Sequence, residues 1–127
     1  MSETLTRGIR IIVRPQFVAD QSDPQNGRYF FAYHVTIKNE GSVTVQLLSR
    51  HWVITNGDNE VEEVRGPGVV GYQPVLKPGE QFQYTSACPL DTAVGTMQGS
   101  FQMLPDAGAP FDALISPFTL AAPRSLN

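Results

Sequence analysis

The sequence predicts an all-β antiparallel sandwich of about seven or eight strands, and three observations lead there. Glycine and proline, 11 and 10 in 127 residues, are spread so evenly that an ordinary helix has no room to form. Several short runs alternate apolar and polar residues at period two, as half-buried strands do. Turn signals separate those runs roughly every 8 to 12 residues, with no crossover helix between them.

Taken in order, residues 9–18, IRIIVRPQFV, are rich in β-branched side chains and form the first strand. Pro15 gives that strand an edge position or a bulge, because proline cannot donate to a ladder. From Arg28 to Lys38, Tyr29, Phe31, Tyr33, Val35 and Ile37 share one face, which is the expected core face. The polar turn 39–42 and the alternation of Val43, Val45 and Leu47 then read as the return arm of a hairpin. Beyond Leu47 the apolar parity moves to Leu48, Trp52 and Ile54, which a one-residue bulge near Leu48 and Ser49 explains. Asn56-Gly57-Asp58-Asn59 is a turn, followed by a return strand from Glu60 to Val64 with Val61 and Val64 turned inward.

Lys77-Pro78-Gly79-Glu80 places proline and glycine where a type II turn needs them. LKPGEQFQY resembles the corner at which immunoglobulin-like and fibronectin type III-like domains pass from one sheet to the other, with Leu76 as its plug. Phe82, Tyr84, Ser86 and Cys88 alternate after the corner, as do Met97, Gly99, Phe101 and Met103. The stretch from Phe111 to Leu120, broken by Pro117, closes the set. Phe31, Tyr33, Val35, Ile37, Val45, Trp52, Phe82 and Phe101 are the expected core. The chain reads as a single domain, 1–127, with short flexible ends at about 1–6 and 121–127.

Composition narrows the function. A formal net charge of −3 is the wrong sign for a protein whose main work is neutralising phosphates, so no nucleic-acid partner is expected. Cys88 is the only cysteine, so the domain must be held by packing without an intrachain disulfide, which suits a reducing compartment. No stretch approaches the ~20 apolar residues of a membrane span. The expected location is cytoplasmic, with no membrane partner.

The sequence offers little catalytic chemistry. His34 and His51 have no second His or Cys at metal-ligand spacing, and Asp58, Glu60, Glu62 and Glu63 lack the regular spacing of a calcium loop. Ser49 with His51, and Ser86 with Cys88, are pairs on one strand face without an orienting acid. Cys88 reads as a small buried hydrophobe. No catalytic residue, metal site or cofactor is assigned.

One motif stands out. GPGVVG matches G-x-G-x-x-G at Gly66, Gly68 and Gly71, but Tyr72-Gln73-Pro74 leaves no room for the helix whose amino end would hold a pyrophosphate. Pro67 also removes a donor from any phosphate cradle, to which Arg65 would add charge. The motif therefore predicts an irregular loop or short strand between Arg65 and Pro74, with no helix starting there. Arg65, Gly66, Gly68, Val69, Val70, Gly71 and Tyr72 form the candidate binding loop, since an apolar, glycine-rich segment is costly to expose without a partner. The structural alternative is that the glycines serve tight turns and the apolar side chains fill the core.

Long ordered blocks, QLLSRHWVIT, VRGPGVVGYQPVLKPGE and YTSACPL joined to GTMQGSFQM, make the chain similar to the ApaG family over nearly its whole length. The resemblance implies a fibronectin type III-like sandwich found alone in bacteria and appended to some eukaryotic F-box and DNA-polymerase-associated proteins. That reuse implies an interaction module. The family's gene commonly lies beside that of a diadenosine tetraphosphate hydrolase, and an older name links it to cobalt resistance and magnesium efflux. The expected function is thus a non-enzymatic module binding a protein partner, as a monomer or weak homodimer. The alternative is a regulator that binds a nucleotide or responds to divalent cations through the GPGVVG loop.

Overall fold

The computed structural model describes residues 1–123. The strands are β1 (Ser2–Thr6), β2 (Ile9–Phe17), β3 (Tyr29–Asn39), β4 (Val45–Asn56), β5 (Val61–Pro67), β6 (Val75–Leu76), β7 (Gln81–Leu90), β8 (Val94–Pro105) and β9 (Phe111–Ala121). One sheet runs β1-β2-β3-β7 and the other β5-β4-β8-β9, with β6 added beside β4. Every pairing is antiparallel, so the all-β sandwich read from the sequence is present. Among the described residues nine strands replace the expected seven or eight, because β1 is polar and β6 has only two residues, too little pattern to register.

Alternation places the core. On β3 the side chains of Phe31, Tyr33, Val35 and Ile37 are buried, and Ile9, Ile11 and Val13 of β2 lie on the same inner face. Trp52 sits at the centre, edge-on to Tyr33 at 5.3 Å, Phe101 at 6.1 Å and Phe118 at 6.1 Å between ring centroids. The bulge expected at Leu48 and Ser49 is the register shift between Leu47 and Ser49. Of the expected core, only Phe82 is half-buried, packed against the margin of the cluster.

Several expectations give way. The segment 1–6, read as a flexible end, holds β1, which pairs with β2 from Thr6↔Ile9 to Ser2↔Val13. Residues 9–18 are therefore not an edge strand as a whole. β2 lies between β1 and β3 up to Val13, and Pro15 stands just beyond, where β1 has ended and no donor is required on that side. Val61, expected inward, is 63% exposed, because it lies an odd number of residues from Val64 and so shares the outer face of β5 with Glu63 and Arg65. At the other terminus, Ala121 still belongs to β9, and residues 124–127 of the expected flexible end lie outside the described residues.

The largest correction concerns the supposed hairpin at 39–42. β3 and β4 lie in different sheets, so the polar turn is a crossing between layers. Asn39 is the reason. Its side chain is 1% exposed, its Nδ2 donates to the carbonyls of Val43 (2.8 Å) and Leu76 (2.9 Å), and its Oδ1 accepts from the Gly41 N–H at 2.9 Å. Its backbone N–H donates to the Glu80 carbonyl at 2.9 Å, while its own carbonyl accepts from Gly79 at 2.7 Å. A side chain that bonds into β6 and the following turn draws the chain across instead of back along its own sheet.

The second crossing is the corner at 76–80, as expected. Leu76 on β6 is buried and belongs to the β4 sheet, whereas Gln81 begins β7 in the other sheet. The Glu80 N–H donates to the Lys77 carbonyl at 2.9 Å, and Gly79 has φ +90°, the geometry of a type II turn.

Asn39→Ala leaves the buried Leu76 carbonyl and the part-buried Val43 carbonyl without this donor and is expected to cost about 2 to 4 kcal/mol, more than an exposed Asn→Ala change, by urea denaturation. Trp52→Ala empties the centre of the aromatic cluster, and the same measurement is expected to show a loss of about 3 to 5 kcal/mol.

Candidate functional site

The GPGVVG segment contains no helix. Gly66 and Pro67 finish β5, and Val69-Val70-Gly71-Tyr72 make a tight two-residue turn. The Val69 N–H donates to the Tyr72 carbonyl and the Tyr72 N–H to the Val69 carbonyl, both at 2.8 Å. With φ of +43° at Val70 and +86° at Gly71, this has the positive φ values of a type I′ hairpin turn. The Gly68 N–H donates to the Leu48 carbonyl at 2.9 Å. Pro67 has no N–H, and those of Gly68, Val69 and Tyr72 are bonded internally, which leaves only Val70 and Gly71 of this stretch to offer a donor, too few for the converging set of a phosphate cradle.

The candidate residues part company in space. Val69 is 1% exposed and belongs to the core, which corrects its place in an exposed loop. Val70 (49% exposed) and Tyr72 (62%) project outward, with exposed Val75 of β6 in the same segment. Arg65 pairs with His51 in register and stands 3.8 Å from Glu63, on the outer face of its sheet, so it adds no charge to the loop. The loop cation is Arg50. Its Nη1 donates to the carbonyls of Pro67 and Gly68, each at 2.9 Å, and a Cβ on Gly66 would come within 2.9 Å of its guanidinium. Reading the bulge through to its consequence would have found Arg50, since it shares the switched parity of Trp52 and Ile54.

Arg50 also lines a cleft that the strand pattern did not reveal. The sandwich is closed on one side, where Thr4 donates to the Leu114 carbonyl and the Leu114 N–H donates to Thr6. On the other side β5 and β7 are both sheet edges, and a cavity of about 260 Å³ opens between them. Tyr33, Trp52, Cys88 and Met97 line its depth, with Glu62 and Val64 on the β5 side and Ser86 to Pro89 on the β7 side. It adjoins a second hollow of about 270 Å³, bounded by Asn56, Glu60, Glu62 and Asp91, through shared Ile54, Glu62 and Pro89. Near the opposite end, Tyr72 packs on Phe82 of β7 with ring centroids 5.8 Å apart, so the turn forms an end wall.

The matches to known proteins follow this architecture. A family model described as the ApaG domain matches residues 19–105. The chain is 58% identical over 127 residues, all of both chains, to Protein ApaG of Dechloromonas aromatica. The chain belongs to the ApaG family. It is also 53% identical to Protein ApaG of Pseudomonas entomophila over 119 residues, 94% of each. A Bordetella pertussis crystal structure superposes with a TM-score of 0.89 at 51% identity, covering 92% of this chain and 95% of that one. The span matched by the ApaG model runs from β3 to β8 and so contains the turn and both walls of the cleft.

The remaining candidates in this ApaG-family chain have separate surroundings. His51 Nε2 lies 2.8 Å from Glu63 Oε1, while Ser49 Oγ donates to Gln102 at 2.8 Å, so their spacing brings no hydroxyl to the imidazole. His34 sits between Thr85 and Gln83. Among the described residues no group of three or more His, Cys, Asp or Glu side chains is arranged to hold a metal ion, and no helix is long and apolar enough to cross a membrane. Cys88 is buried, and that burial pushes its thiol up to about 11, with a smaller push from Glu62.

Two expectations follow. A methyl group at Gly68 would lie 2.3 Å from the Tyr72 carbonyl, whereas at Gly71 it meets nothing within 4 Å. Gly71→Ala is expected to lose about 1 to 2 kcal/mol from its positive φ alone, and Gly68→Ala clearly more, read side by side in urea. The raised Cys88 thiol protects the fold only while it stays protonated: below its ordinary value near 9 both states hold the proton, and as pH rises toward about 11 the unfolded chain releases it first. Stability of the native protein is therefore expected to fall more steeply between about pH 9 and 11 than that of Cys88→Ser, which has no thiol to ionise.

Proposed function

We propose that the chain is a non-enzymatic interaction module that binds a protein partner through the Val69–Tyr72 turn and the surface beside it. The observation that carries this reading is Val70. A β-branched residue at φ +43° costs about 1 to 2 kcal/mol in a position that asparagine or glycine fills readily. At 49% exposed, Val70 recovers little of that by burial. Tyr72 and Val75, 62% and 55% exposed, extend the apolar surface around it. Strain kept at an exposed apolar tip is the arrangement of a contact surface, where the methyl groups find their neighbours only in the complex.

The test separates stability from binding. Val70→Asn creates Asn-Gly, the preferred pair for this turn, and is expected to stabilise the protein by about 1 kcal/mol. Immobilised native protein is expected to retain a partner from native lysate that Val70→Asn, although more stable, does not. Retention of the same proteins by both would overturn the proposal. So would saturable amide shifts at residues 66–72 on titration with ATP, diadenosine tetraphosphate, cobalt or magnesium, which would identify a nucleotide- or cation-responsive loop instead.

A further inference from the structure

We infer that the free edge of β7 accepts an extended segment of the protein partner as an added strand, with an apolar side chain in the cleft and a basic one at its acidic end. The inference rests on the protein-binding reading above and names how the partner is held.

The backbone argument begins at Asn39, whose N–H and carbonyl both face the β7 side of β3. Groups along an antiparallel strand alternate between its two neighbours, so residues 37, 35, 33 and 31 of β3 also face β7, opposite Phe82, Tyr84, Ser86 and Cys88. The Val18 N–H bond to the Phe30 carbonyl shows the even-numbered residues turned to the other side. Gln83, Thr85 and Ala87 of β7 therefore point their N–H and carbonyl groups away from β3, and Pro89 offers a carbonyl alone. These groups border the cleft, which Ala87 and Pro89 line.

Edge strands are normally guarded by charges or covered by another element. β1 and β9 cover each other, and β5 carries Glu62, Glu63 and Arg65. β7, QFQYTSACPL, has no charged residue, and Pro89 is its one guard, near the acidic end. Trp52, 2% exposed and lining the same cleft, has an Nε1 without a hydrogen-bond partner. The cleft's electrostatics select the occupant. Glu60, Glu62 and Asp91 gather where it adjoins the second hollow, while Arg50 lies toward the turn. A segment in extended form, apolar in its middle and basic at the end nearest Asp91, matches both walls.

The probes, added to the isotope-labelled full chain, are two ten-residue synthetic peptides of alternating Val and Thr, one beginning with two Lys and one with two Glu, because antiparallel addition to β7 places the amino end beside Asp91. The Lys peptide is expected to shift the Gln83, Thr85 and Ala87 amides saturably and slow exchange at Thr85 and Ala87 by roughly tenfold, leaving Tyr84 and Ser86 unchanged. The Glu peptide is expected to do neither, and Glu62→Lys to reverse the preference. Ala87→Pro, which deletes one outward donor, is expected to abolish the effect while Tyr84 and Ser86 still report a folded strand. Absence of slowing at millimolar peptide would overturn strand addition. Shifts confined to Val69–Tyr72 would do so too, yet leave the protein-binding reading standing. Protection of the same amides on raising protein concentration alone would replace the partner segment with a second copy of this chain.

Discussion

Asn39 holds the two layers in their relation to each other. Its amide and both of its backbone groups are bonded, and the partners come from the 41–43 turn, β6 and the corner before β7. A buried amide left partly satisfied would be costly, so this position tolerates few alternative arrangements of the chain around it. Because the first two of the three crossings between the sheets pass through it, the same residue sets where β4 and β7 begin. The gap between β5 and β7 is then a consequence: with β4 and β3 fixed as their neighbours, the two strands end up as facing edges.

The two sides of the sandwich solve the edge problem differently. On one side the Arg7-Gly8 turn, with φ +47° and +85°, folds β1 back onto β2 and brings its threonines to β9. On the other, the Val70-Gly71 turn repeats that backbone geometry at +43° and +86° but folds over only the end of the cleft. Arginine is not β-branched, so Arg7 bears the left-handed conformation with less steric penalty than valine. The strained residue and the uncovered edge thus lie at the same side of the molecule, which links the contact surface proposed for the turn to the strand-accepting role inferred for β7.

Much of this architecture was legible in local pattern. The period-two face of β3, the parity change at Leu47 and Ser49, the Asn56-Gly57 hairpin and the Lys77–Glu80 corner each depend on a few neighbouring residues, which is the range over which backbone preference and alternation act. The absence of a helix after Gly71 was equally local, being dictated by Pro74. What failed was pairing. The turn at 39–42 has the composition of a hairpin, and only its bonds to Leu76 and Glu80, far along the chain, send it to the opposite sheet.

The sequence by itself determined that this chain makes β-strands, which side chains of most of them face inward, and that its glycine motif cannot start a helix. Those are properties of dihedral preference and side-chain period, carried by adjacent residues. Only the tertiary structure decided which strands are edges, that Arg50 and not Arg65 serves the glycine loop, that Val69 is buried while Val70 is not, and that a cleft with an acidic end lies between β5 and β7. These depend on which segments meet across the molecule, and alternation along one strand carries no information about the neighbour it will find.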